Sequence, residues 1–146
     1  VLNAELWLAS ADISKKPQNL QTESENVPLV VGYHGADVRV LCGSFEGKTG
    51  PFNPSCGESL MLDITLSPGA AFTYPVPPEN NTLVYVFGGR AHFGEGEDLF
   101  FGKDSFLHMY GGTVTAYTLQ TGARFLLLSA AAEKTKNLNF NKIPLK

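Results

Sequence analysis

Apolar side chains recur at every second position through most of this chain, the period of strands that bury one face. Leu60, Leu62, Ile64 and Leu66 share one side of a predicted strand, with Met61, Asp63 and Thr65 on the other. The same alternation marks Glu5–Leu8, Val38–Leu41, Phe72–Tyr74, Thr82–Phe87, Arg90–Phe93, Asp98–Phe101, Phe106–Tyr110, Gly112–Thr118 and Arg124–Ser129. Turn residues separate these runs: Ser67-Pro68-Gly69, Gly88-Gly89, Gly94-Glu95-Gly96, Gly111-Gly112 and Thr121-Gly122. Many short strands joined by tight turns predict an all-β sandwich or barrel, in which closure hides strand edges. Helical signals are confined to residues 10–17, stopped by Pro17, and to a short helix capped by Ser129 and running to Lys134. Residues 15–28 and 46–55 read as irregular, and no internal repeat or linker divides the chain.

The 146 residues make one domain, 1–129, followed by a polar tail, 130–146, that carries four of the chain's lysines. Hydrophobic content of 43% suffices for a core. A formal charge of −3 without a basic block argues against direct nucleic-acid binding. No apolar run is long enough for a membrane-spanning helix. The N-terminal VLNAELWLAS lacks the basic start of a secretory leader and reads as a strand. With that, an intracellular location is expected, in cytoplasm, nucleus or an organelle. Cys42 and Cys56 are expected as two reduced thiols. The sequon-like Asn80-Asn81-Thr82 falls on an expected loop and reads as chance.

From Gly69, five residues lead to Pro75, one more to Pro77, three to Asn81 and six to Gly88. This spacing resembles the metal motif of cupin barrels, in which those three inner positions hold His, His and Glu. The resemblance implies a cupin-like double-stranded β-helix with its ligands replaced. Proline has no lone pair to give a metal, and an Asn amide is a poor replacement for a carboxylate. Gly102 and Gly111 look like the glycines of the second cupin motif, whose histidine would then fall at Val114, or at Thr113 if the register slips by one.

More of the chain resembles one cupin family. Leu6-Trp7-Leu8, Pro17-Gln18-Asn19-Leu20, Val27-Pro28, Val38 to Gly43, Gly47 to Pro51, Leu60 to Ala70, Tyr74 to Pro77 and Val84 to Gly89 match, in order, the C-terminal half of pirins. The most specific of these is the leucine-rich strand with Asp63 that leads into Pro68-Gly69-Ala70. Pirins are two tandem cupin barrels, and the resemblance implies that iron belongs to the other, N-terminal barrel, on histidines and a glutamate. Neither a His-x-His nor a His-x-Glu pair occurs here, and Ala130–Lys146 departs from the family's usual C-terminal run. The chain is thus similar to the metal-free half of a pirin, as a fragment or a shortened relative.

Other chemistry is weakly supported. His92 and His108 could converge inside a barrel beside Asp63, Glu95 or Asp104, but the spacing requires no such triad. No local signature makes Cys42 or Cys56 a nucleophile. Gly94-Glu95-Gly96-Glu97 reads as a hairpin turn, because its carboxylates would repel a phosphate. Phe72, Tyr74, Tyr85 and Phe87 are expected to fill the barrel, or else to line its mouth. Phe52, on an exposed loop, Tyr74, Tyr85 and His108 are the candidates for a pocket or an interaction surface. The function expected is a non-catalytic, metal-free module docking with other protein subunits, its tail and its 15–28 arm lying on the partner. The alternatives are the C-terminal half of an iron-dependent quercetin dioxygenase of the pirin type, and a pirin-like nuclear transcriptional cofactor.

Overall fold

The computed structural model describes residues 22–52, 59–97 and 99–131. After a single 3-10 turn, Ser24–Asn26, every element is a strand. They are β1 (Leu29–Tyr33), β2 (Ala36–Cys42), β3 (Ser44–Phe45), β4 (Lys48–Thr49), β5 (Leu60–Leu66), β6 (Ala71–Pro75), β7 (Asn80–Phe93), β8 (Phe100–Gly102), β9 (Phe106–Met109), β10 (Thr113–Tyr117) and β11 (Ala123–Ala131).

Nine strands form one antiparallel sheet in the order β1-β2-β5-β11-β7-β10-β6, with β8 and β9 also paired to β7. The sheet curls around a core that includes Val38, Leu62, Ile64, Phe72, Phe125 and Leu127, all fully buried. These residues come from alternate positions, as the period-two pattern predicts. The fold is all-β and cupin-like, as the sequence predicts, with the sheet curled into a half-barrel.

β7 holds this architecture together. Its first half pairs with β11 and β9, and its second half with β10 and β8. The sequence suggests two strands broken at Gly88-Gly89, whereas the structure has one of 14 residues. The glycines form a bulge because the ladder to β11 continues through them, with a register shift between Arg124 and Phe125. Inward residues switch parity across the bulge, from Thr82, Val84 and Val86 to Ala91 and Phe93. Gly89 sits at φ +68, and a Cβ there would lie 1.9 Å from the Gly122 carbonyl oxygen, so only glycine fits.

One strand is added and two further expectations are corrected. Residues 29–33 form β1, joined to β2 by a two-residue turn in which His34 and Gly35 both have positive φ. Glu46-Gly47 makes a second turn of this kind between β3 and β4, inside a stretch that reads as irregular. Ser129 caps no helix: β11 runs on to Ala131, because Ser129 is buried and bonded across the sheet to Thr82. The candidate strand at residues 5–8, the helix signal at 10–17 and the tail beyond 131 lie outside the described residues.

Candidate functional site

The barrel interior is filled by rings. Phe45 lies 5.0 Å from Tyr74 between centroids, Phe72 6.3 Å from Phe125, and Phe125 5.1 Å from Phe93. Edge-on and tilted contacts of this kind suit aromatic quadrupoles. Phe72 therefore packs in the core as expected, and Tyr74 stands half-buried at its end. Tyr85 and Phe87 do not fill the barrel. They share the outer parity of β7, since Val84 and Val86 take the inner one.

The parity of β6 decides where the former metal positions lie. Phe72 and Val76 are buried and Tyr74 is half-buried, while Pro75 and Pro77 are exposed. Asn81 is exposed on β7. Val114 is fully buried on β10, directly across from Tyr74, and the exposed Thr113 lies across from Pro75. The positions that the spacing equates with two metal histidines thus belong to the outer surface, one residue out of phase with the interior.

The histidines do not converge. His34 is exposed in its turn, and His108 is exposed on the outside of β9, with its ring 4.4 Å from that of Tyr110. His92 is buried on β7, stacked on Tyr117 at 4.5 Å with Phe100 edge-on at 5.1 Å. Its Nε2–H donates to the Gly96 carbonyl at 2.7 Å, and its Nδ1 makes no hydrogen bond among the described residues. Of the carboxylates considered with them, Asp63 is taken by Arg124, Asp104 accepts the Tyr85 hydroxyl at 2.8 Å, and Glu95 is exposed. Among the described residues, no three His, Cys, Asp or Glu side chains come together as a metal site. The described residues at the cupin ligand positions, Pro75, Pro77, Asn81 and Val114, do not fit iron.

Cys42 is not a reduced thiol. It is fully buried and disulfide-bonded, and the sequence holds one other cysteine, Cys56, which lies outside the described residues. Phe52 is half-buried rather than exposed, with its amide bonded to the Leu41 carbonyl.

Two surface features remain. The first is the outer face of β9 and the residue that follows it, where Phe106 is 64% and Tyr110 82% exposed. Phe106 lies across from Tyr85 and His108 across from Leu83, so the apolar face continues onto β7. The Asp104 bond, then burial, holds the Tyr85 phenol above its ordinary pKa. The second is a cleft of about 220 Å³ at the end of the barrel, between the β3 and β5 approaches, the end of β6 and the start of β7. Ser44, Ser59, Tyr74, Pro75, Asn80 and Ser129 are among its walls. Asn80 is a strand residue here, with its Nδ2 donating to Ser129 Oγ at 3.0 Å, and not the loop acceptor that its sequon suggests. Of these six, sequence reasoning singled out Tyr74 as a pocket or interaction candidate and Pro75, Asn80 and Ser129 for other roles; Ser44 and Ser59, at strand ends, carry no periodic signal.

The fold agrees with what the chain is similar to. The family model of the pirin C-terminal cupin domain matches residues 61–135, just over half of the sequence. The chain belongs to the pirin family. A pirin-like protein of Arabidopsis thaliana is 31% identical over 93 residues, 62% of this chain and 29% of the relative. One of Caulobacter vibrioides is 28% identical over 75 residues, 51% of this chain and 27% of the relative. The matched segments therefore span less than a third of the length of these pirin relatives. Among solved structures, a quercetin 2,3-dioxygenase of Acinetobacter baumannii superposes with a TM-score of 0.63 at 20% identity, over 75% of this chain and 38% of that one. An RmlC-like cupin of Shewanella frigidimarina gives 0.55 at 13%, over 80% and 95%. At such identities these structures share the fold alone. Among the described residues of this pirin-family chain, no helix is long and apolar enough to cross a membrane.

Proposed function

We propose that this chain is a non-catalytic pirin-like cupin module, acting as a protein-interaction or structural unit of a larger assembly. The observation that carries the reading is the filled interior. Where a cupin enzyme needs room for metal and substrate, Phe45, Phe72, Phe93 and Phe125 pack against one another. Ligands buried in a pocket need a preformed cavity, and a small barrel packed with side chains offers a rigid scaffold instead.

The exposed aromatics of β9 supply the contact surface. Phe106 and Tyr110 are large, rigid and solvent-facing, the character of side chains that anchor interfaces. The test is the composition of the native complex and its response to Phe106→Glu with Tyr110→Glu. A partner in fixed stoichiometry, lost in the double variant at unchanged melting temperature, is the expected result. A compact monomer with no stoichiometric partner overturns it.

The dioxygenase reading has the Acinetobacter structure behind it as a fold relative. It would require iron on residues other than those described here. Stoichiometric iron bound by this chain, with turnover of a flavonol, is the result that would replace the scaffold reading.

A further inference from the structure

The cleft at the barrel end carries an inference separate from the docking surface. Its polar groups are not all used within the fold. Ser129 Oγ accepts from Asn80 Nδ2 at 3.0 Å and from Thr82 Oγ1 at 3.1 Å, so its own hydroxyl proton remains to be given. Tyr74, also at the wall, brings a phenol hydroxyl that can donate. With its Nδ2 committed, Asn80 keeps a carbonyl oxygen to accept.

Ser129, Tyr74 and Asn80 therefore bring two donors and an acceptor to one cleft that Pro75 also lines. None of the described lining residues is charged. An ion taken into such a site would lose hydration without gaining a counter-charge. Burial, then the nearby Glu46, keeps the Tyr74 phenol protonated above its ordinary pKa, which preserves it as a donor and disfavours anions. The volume of about 220 Å³ lies below the range of drug-sized pockets, so one ring is what it accommodates.

We infer that this cleft binds a small uncharged ring compound bearing hydroxyl groups, with its hydroxyls on Ser129, Tyr74 and Asn80 and its ring against Tyr74 and Pro75. A hydroxyl both donates and accepts, which matches the mixed set of protein groups. A phenol and a sugar ring share this chemistry, one with a flat face and one with C–H faces.

The experiment is an amide chemical-shift titration of the ¹⁵N-labelled chain with phenol, with methyl glucoside, and with benzoate as the charged counterpart. Saturable shifts at Ser44, Ser59, Asn80 and Ser129 are expected with phenol or methyl glucoside, and the one that binds identifies the ring. Benzoate is expected to bind at least tenfold more weakly. Ser44 is exposed at the rim, so Ser44→Phe should plug the cleft, weaken binding at least tenfold and leave distant amides unmoved. Should that variant perturb the whole spectrum, Ser59→Leu plugs the same space from the β5 side. No saturable shift with either neutral ring, equal binding of benzoate, or full binding by a folded plugged variant would each overturn the inference.

Discussion

Arg124 grips Asp63 across β5 and β11 with two hydrogen bonds, Nε to Oδ1 at 2.9 Å and Nη2 to Oδ2 at 2.5 Å. Asp63 is the one outward residue of β5 that is nearly buried, with 9% of its side chain exposed against 41% for Arg124. The guanidinium also lies 5.8 Å from the Phe87 ring centre. The Asp63 bond holds Arg124 protonated beyond its already high pKa.

Arg124→Ala should therefore destabilise the fold, since it leaves a buried carboxylate unpaired. A fully buried pair broken in this way loses about 3–5 kcal/mol. Solvent screening at Arg124 reduces the expectation to about 1–2 kcal/mol by denaturant melting. The double variant Asp63→Leu with Arg124→Leu should recover most of that loss. Equal stability of Arg124→Ala and the parent chain would show the pair to be idle.

Gly89→Ala tests the bulge. The added methyl meets the Gly122 carbonyl and the residue must hold a positive φ. A loss of at least about 2 kcal/mol is expected from strain and displaced backbone. By contrast Gly69→Ala, also at positive φ but with nothing within 4 Å, should lose less. Circular dichroism melts of the two variants give the comparison.

Phe72→Ala should lose about 3–5 kcal/mol, because the ring is fully buried among other rings that cannot all move into the space. Tyr85→Phe, on the outer face, should leave the core intact. Urea midpoints distinguish the two.

Tyrosine ionisation carries a pH signature. Tyr74, through burial, and Tyr85, through its bond to Asp104, both have folded-state pKa values raised above 10.0. The folded chain thus holds these protons more tightly than the unfolded chain. Their contribution to stability is complete below pH 10.0 and is lost as pH rises through the folded values. Ultraviolet titration should show two late-ionising phenols, one removed by Tyr74→Phe and the other by Tyr85→Phe. Titration of every tyrosine at the ordinary value would refute this.

Reduction of the Cys42 disulfide should lower stability by about 2–4 kcal/mol. Thermal melts with and without dithiothreitol measure it, and Cys42→Ala should be insensitive to the reductant.

The strands were legible because burial of one face writes a period of two into residues such as Leu62, Ile64 and Leu66. What escaped was phase. The cupin spacing is present from Gly69 to Gly88, but spacing does not say which parity of β6 faces inward, and Pro75 and Pro77 face out. At Gly88-Gly89 a bulge and a chain reversal look alike in sequence, and pairing with β11 decides between them. Glu46-Gly47 hides a hairpin because its strands are two residues each, too short for any periodicity. The cleft drew on small hydroxyls from distant strands, and only closure of the sheet brings Ser44 near Ser129.

β11 comes last among the described strands, yet it occupies the middle of the sheet, between β5 and β7. Every earlier strand can pair without it, but β5 and β7 then each present an open backbone edge. A chain halted before Ala123 would carry two facing templates for any extended segment, whether its own late strand or a stranger's. Assembly of this fold is thus a race to fill one slot, and its hazard is greatest just before the final strand arrives.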